Sequence, residues 1–380
     1  MNSTKVFAIS VQGENHKKLK PQEKPCQDYS YALLSEQKYL ECFIGCNQTW
    51  VHKPQEHFKP MPRCCIAIVA DGHGSDEFIR SDRGSRFACE SARICIHSFL
   101  KDQKKKPTNE NIHQLIKSII KTWNEKVVAD LGLSPFGNSE LSKLPDDKRG
   151  RYLSDDEYSR HAYGTTLIAA VQCDSYWFGF HIGDGKCVVL GSNAAFYQPI
   201  PWDDRCFLNV TTSICDEDAA ERARVRVLPD EINDSIPLAT FLCSDGLDDS
   251  YPVKDNNKYL AKFYRTLALN FIEKDFEKSF DDVKETLPLL SKKGSGDDIS
   301  ISCILDIEGI SKLKPSFDEQ ITKEKEDILQ QEKVDISNLD IGDTRNVIIN
   351  NALKEIQKLE VNSEYNNVEN HTNNNIDIKV

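Results

Sequence analysis

Hydrophobic residues along this chain follow two rhythms. Short apolar runs rich in Val, Ile and Phe stand at 6–11, 29–34, 39–44, 65–70, 165–171, 176–181, 187–190, 239–243 and 299–305, and each predicts a strand. Apolar residues three and four apart on otherwise charged stretches predict helices at 77–100, 109–131, 257–272 and 276–290. The two early helices follow each other directly, and so do the two late ones. That grouping predicts an α+β fold, antiparallel sheets flanked by helix pairs, in place of a doubly wound parallel sheet.

Two stretches interrupt the pattern. The charged, Pro-containing segment 134–160 reads as a long surface insertion, and 202–229, with its acidic turn Asp216-Glu217-Asp218, as a second excursion. Beyond Leu313 the character changes. Residues 317–334 are rich in Glu, Lys, Asp and Gln and predict an exposed helix. Val347, Ile348, Leu353, Ile356 and Leu359 recur at helical spacing and read as a helix packed on its own domain. Residues 362–380 are Asn-rich and nearly free of core formers, hence disordered by composition. The expected division is one globular domain over 1–313 and an acidic, partly helical tail over 314–380, with no internal repeat.

Composition narrows the function. The chain has 380 residues and a net charge of −12, which argues against a nucleic-acid partner, since phosphate affinity rests on Lys and Arg. The same charge disfavours an anionic membrane, and no apolar run is long enough to span a bilayer. The first residues lack a basic segment followed by an apolar one, so the expected location is cytoplasmic. The 13 cysteines include no C-x-x-C pair, and Cys187, Cys243 and Cys303 fall inside apolar runs. They read as reduced thiols packed as small hydrophobes, not as zinc ligands or a disulfide framework.

Candidate chemistry sits where strands end. IAIVADGHGS (66–75) and ATFLCSDGLDD (239–249) each deliver an Asp at the C-terminal end of an apolar run, and GSGDDISISCIL (294–305) has its Asp at the start. If the last strand runs antiparallel to the other two, all three carboxylates meet at one sheet edge. Such carboxylates repel unless a cation sits between them, and Mg²⁺ or Mn²⁺ suits an all-oxygen site. Taken singly, an Asp before Gly is an ordinary turn. The GDGK of 183–186 is no phosphate loop, because Phe180 and Cys187 stand where Gly and Ser or Thr are required, and no G-x-S-x-G elbow exists.

Five blocks in order carry more than any one of them: PCQDYS (25–30), VADGHGS (69–75), YGTTLIAAV with HIGDGK (163–171, 181–186), LCSDGLDD (242–249) and GDDISIS (296–302). Over roughly residues 5–307 the chain resembles the metal-dependent type 2C serine/threonine protein phosphatases, as a divergent, bacterial-like member. The resemblance implies a four-layer α-β-β-α sandwich with two Mn²⁺ or Mg²⁺ ions at one end, and a weaker third in some members. By motif, it implies that Asp71 bridges both ions and Gly72 adds its backbone carbonyl. Asp245 and Asp297 would hold the second ion, with Asp28 contacting the metals directly or through water. Asp184 and Asp249 match positions linked to the third ion, and His73 the residue that protonates the leaving alkoxide. The implied partner is a phosphorylated protein.

The chain also departs from the family pattern. Where an Arg usually points at the substrate phosphate, five residues before the early Asp, this chain has Glu23. His16, Lys20 and Lys24 are the nearest replacement cations, with His16 and Lys24 preferred as phosphate-binding candidates. Gln27 replaces a frequent acidic residue, Asp298 a common Asn, and Ser75 the second Gly of the first motif. Retained metal carboxylates favour an enzyme. Glu23 is the feature that favours the alternative, a catalytically weak or inactive pseudophosphatase acting as an interaction module.

Overall fold

In a computed structural model of the protein, residues 3–18, 24–35, 39–44, 49–54, 63–102, 105–154, 156–206, 210–232 and 235–338 are described. Their strands are β1 (Thr4–Val11), β2 (Tyr29–Ser35), β3 (Tyr39–Ile44), β4 (Thr49–Pro54), β5 (Cys64–Ala70), β6 (Leu167–Cys173), β7 (Trp177–Ile182), β8 (Lys186–Leu190), β9 (Phe196–Tyr197), β10 (Arg224–Leu228), β11 (Ala239–Cys243) and β12 (Ile299–Asp306). A five-stranded sheet has the order β1-β12-β11-β8-β9, and a seven-stranded sheet the order β10-β7-β6-β5-β2-β3-β4. Neighbouring strands are antiparallel throughout.

Strand β5 explains why these runs are apolar without interruption. Its odd members Cys65, Ala67 and Val69 join the core that includes the five-stranded sheet, while Cys64, Ile66, Ile68 and Ala70 join the core beneath the early helices. A strand covered on both faces needs no polar alternation. The helices are α1 (Glu14–Lys18), α2 (Ser81–Asp102), α3 (Asn109–Leu133), α4 (Asn138–Leu141), α5 (Asp146–Ser154), α6 (Asp156–His161), α7 (Ala219–Arg222), α8 (Asp245–Asp248), α9 (Asn256–Glu273), α10 (Phe276–Lys293), α11 (Ile307–Lys312) and α12 (Lys314–Asn338). Phe87, Ile96, Ile116 and Trp123 of α2 and α3 cover the seven-stranded sheet. Tyr264, Phe271, Phe280 and Leu287 of α9 and α10 cover the other, with Phe7 stacked on Phe271 at 5.0 Å. The fold is therefore the α+β, four-layer α-β-β-α sandwich that the sequence predicts. Hydroxyls stitch the sheets together: Ser302 Oγ donates to the Tyr31 carbonyl at 2.8 Å, and Trp177 Nε1 to Thr240 Oγ1 at 2.9 Å.

Some details differ from expectation. The early helix begins at Ser81 instead of 77, and strands β4, β9 and β10 are additions. The segment 202–229 is not wholly an excursion, because β10 forms the edge of the seven-stranded sheet beside β7. The segment 134–160 holds three short helices tied to the domain through buried Arg80. The cysteines whose side chains are described are free, with Cys187, Cys243 and Cys303 buried. The chain divides into two compact units, Met1–Phe317 and Asp318–Val380. Residues 347–359 and 362–380, like Lys20 and Glu23, lie outside the described residues.

Candidate metal centre

Sheet topology brings the motif carboxylates to one edge. Asp71 follows the last residue of β5, and Asp28 precedes the first residue of β2, with Tyr29 opposite Ala70 in register. Asp245 lies just past β11 and Asp297 just before β12, its antiparallel neighbour. The turn between β7 and β8 supplies Asp184. Asp71, Asp184, Asp245, Asp249, Asp297 and Asp216 all line one cleft of about 580 Å³. Asp216 was not singled out for chemistry by the sequence; it lies in the acidic turn.

Local hydrogen bonds hold this edge in place. Thr166 N–H and Thr165 Oγ1 donate to the Asp71 carbonyl at 2.8 and 2.7 Å, and Asp71 N–H returns a bond to Thr166 Oγ1 at 3.1 Å. The YGTT block is thus a clamp on the Asp71 backbone. Gly72 bridges Thr165, but the bonds flanking that bridge use the Asp71 carbonyl and the His73 N–H, so neither occupies the Gly72 carbonyl. Gly72 leaves no space for a side chain, since a Cβ there would stand 2.6 Å from the Gln27 carbonyl oxygen. At Gly246 a Cβ would stand 2.0 Å from the Asp298 carbonyl oxygen, which explains the Asp-Gly pairing of the second block.

The electrostatics are those of crowded like charges. Burial pushes Asp28 and Asp71 well above the usual carboxylate range, and the surrounding carboxylates add to it; for Asp71 the next contributor is Asp28. Burial, then the charge of Asp184, pushes Asp245 up to about 7. Asp71 and Asp245 act on each other, Asp71 being pushed up and Asp245 eased down, as two neighbouring carboxyls do when one keeps its proton. Asp184, Asp249 and Asp297 are raised too, each by burial first. An all-oxygen cluster that must retain a proton to coexist fits a divalent cation, which supplies the missing positive charge.

Asp298 is the residue that sequence reasoning undervalued. Its Oδ1 accepts Gly13 N–H at 2.6 Å and faces His16 Nδ1 at 2.9 Å, while its Oδ2 accepts Gln27 N–H. It pins the segment between β1 and β2 onto the loop that carries Asp297. Both its oxygens are thereby committed to protein donors. His16, expected near the substrate phosphate, is instead turned inward against Asp298, is only 9% exposed and does not line the cleft. That placement corrects the expectation, and its cause is the hydrogen bond between His16 Nδ1 and Asp298 Oδ1. Lys24 does reach the rim, where its Nζ donates to the Gly74 carbonyl at 3.0 Å.

His73 also lines the cleft. Its ring meets Phe78 edge-on at 4.6 Å, and Phe78 in turn meets His161 at 4.5 Å. Burial, with His161 adding to it, lowers His73 to about 4, so the ring is neutral near pH 7.

A family model described as Protein phosphatase 2C matches residues 57–283, more than half of the chain. The chain belongs to this family of serine/threonine phosphatases, for which metal dependence is typical. Solved structures similar to it include the S. agalactiae serine/threonine phosphatase, 16% identical over 80% of this chain and 99% of that one, with a TM-score of 0.44. The Mycobacterium tuberculosis serine/threonine phosphatase PstP/Ppp is 13% identical over 79% and 97%, at 0.42. The catalytic domain of PstP in complex with two manganese ions is 13% identical over 79% and 97%, at 0.43. No curated protein sequence matches the chain. Among the described residues, no helix is long and apolar enough to cross a membrane.

Proposed function

We propose that this chain hydrolyses phosphoserine or phosphothreonine on proteins, using two Mn²⁺ or Mg²⁺ ions. The observation that supports this most is the convergence of Asp28, Asp71, Asp245 and Asp297 at one sheet edge, where burial first and neighbouring carboxylates second raise every one of them. Asp71, the Gly72 carbonyl, Asp245 and Asp297 would hold these two ions between them. Asp28, held by the Ser244 hydroxyl, contacts them directly or through water, and Asp184 with Asp249 takes a weaker third ion. Two such ions, when bound, lower the pKa of a shared water and neutralise the phosphoryl oxygens.

The chain's own residues do the rest. Thr165 and Thr166 fix the Asp71 backbone, so that the carboxylate does not reorganise as charge develops. Lys24, at the rim beside Gly74, is the cation placed to meet an incoming phosphate. His73 is neutral in the free protein, and a phosphate dianion beside it favours the protonated ring, which can then protonate the leaving alkoxide.

The second reading, a regulatory pseudophosphatase, draws on Glu23 at the usual Arg position and on the lack of any Arg lining the cleft among the described residues. One assay separates the two: hydrolysis of an aryl phosphate with Mn²⁺, with EDTA, and by Asp245→Ala. The enzyme reading expects Mn²⁺-dependent turnover that EDTA abolishes and the variant lowers by orders of magnitude. Metal binding without turnover supports the module.

A further inference from the structure

We propose that His16 is a nitrogen ligand to the ion held by Asp297, which makes this a mixed nitrogen–oxygen centre. The inference rests on the metal-dependent reading above and concerns a residue that the five motifs do not include. His16 stands on α1, between β1 and β2, and is 9% exposed. Its Nδ1 lies 2.9 Å from Asp298 Oδ1. That carboxylate already accepts the Gly13 and Gln27 N–H groups, so it faces the ring as an acceptor and places the imidazole proton on Nδ1. In the neutral ring, which an incoming cation selects by displacing a proton, the lone pair is left on Nε2. Among the described residues Nε2 has no hydrogen-bond partner, and it lies 4.0 Å from Asp297 Oδ1.

A carboxylate holding one ring nitrogen while the other turns toward a metal carboxylate is how ligating histidines are oriented in proteins. Two donors that each sit about 2.1 Å from one ion stand no more than about 4.2 Å apart. The Nε2–Asp297 spacing falls inside that limit, and donor atoms of His16, Asp297 and Asp298 all lie within 4.8 Å of one another. Asp298 orients and Asp297 ligates, a division of labour consistent with the committed oxygens of the former. An imidazole in an otherwise all-oxygen shell favours Mn²⁺, Fe²⁺ or Co²⁺ over Mg²⁺.

The test is pulsed electron paramagnetic resonance on the full chain loaded with Mn²⁺, together with calorimetric titration of Mn²⁺ and Mg²⁺. The wild type should display ¹⁴N coupling that persists in His73→Gln and vanishes in His16→Gln. The His16 variant should bind Mn²⁺ at one of two sites roughly ten- to a hundred-fold more weakly, with a smaller change for Mg²⁺. Should His16→Gln fail to fold, ¹⁵N-histidine labelling of the wild type and of His73→Gln still decides. Coupling that converts to ¹⁵N in both supports His16. Absence of nitrogen coupling in the wild type, or its persistence in His16→Gln, overturns the proposal. Two bound ions without nitrogen sink this inference alone, whereas no Mn²⁺ binding at all sinks the metal-dependent reading beneath it.

Discussion

Single carboxylates in this cleft are costly until a cation arrives, and that cost has a pH signature. Asp245 is raised to about 7 in the folded chain, against about 4 for an unfolded Asp. A raised carboxyl contributes its stability below the unfolded value and loses it as pH rises through the folded one. Metal-free wild type should therefore lose melting temperature relative to Asp245→Asn between about pH 4 and pH 8. Saturating Mn²⁺ should reverse the order at pH 8, since only the wild type gains the full binding energy. Scanning fluorimetry at both pH values checks this, and a difference that stays flat with pH would refute the crowding. Asp71→Ala should likewise lower kcat by orders of magnitude and lose the metal-induced rise in Tm. Asp71 and Asp245 were legible in the sequence because the Gly that follows each answers to close backbone approach, as the 2.0 Å space at Gly246 illustrates. Asp298 and His16 were not, because their roles arise only when the β1–β2 segment folds onto the loop before β12.

Among the elements, strands buried on both faces were the easiest to read, and β5 is the clearest case. Strand β10 escaped because Arg224 and Arg226 interleave with Val225 and Val227 at the sheet edge, so no continuous apolar run marks it. The helices of 134–160 escaped for a different reason. Their anchor is a buried arginine outside the segment. Arg80 donates to both Glu140 oxygens at 2.7 and 2.9 Å, to the Ser134 carbonyl at 2.8 Å and to Tyr163 Oη at 2.7 Å, with Phe136 stacked 4.5 Å from its guanidinium. Tyr152 Oη extends the attachment by donating to the Glu77 carbonyl at 2.7 Å, beside the His73 wall. Arg80→Ala should cost about 3–5 kcal/mol, because it leaves buried acceptors and carboxylates without their cation. Denaturant unfolding measures that loss; a cost below about 1 kcal/mol would mean the segment is held by packing alone.

For the molecule as a whole, composition and motif order lead to the expectation of a phosphatase-like domain ending at Leu313 and followed by an acidic tail. Phe317 bears on where the stable unit stops. It is fully buried and stacks on Phe196 at 6.2 Å, and the first compact unit ends with it. A chain ended after Leu313 should be less stable than one ended after Asp327 by about 3–5 kcal/mol, the cost of removing a buried Phe. Both should keep Mn²⁺-dependent aryl phosphate hydrolysis at a temperature where both are folded. Equal stability would place the boundary where the sequence put it.

Metal-dependent turnover is tested by phosphate release from a phosphothreonine peptide by the full chain, first dialysed against EDTA and then supplied with Mn²⁺. No release is expected from the chelated protein, with turnover restored by millimolar Mn²⁺ and no restoration in Asp71→Ala under the same conditions. Turnover that persists after exhaustive chelation, or that Asp71→Ala retains at the wild-type rate, would contradict this expectation.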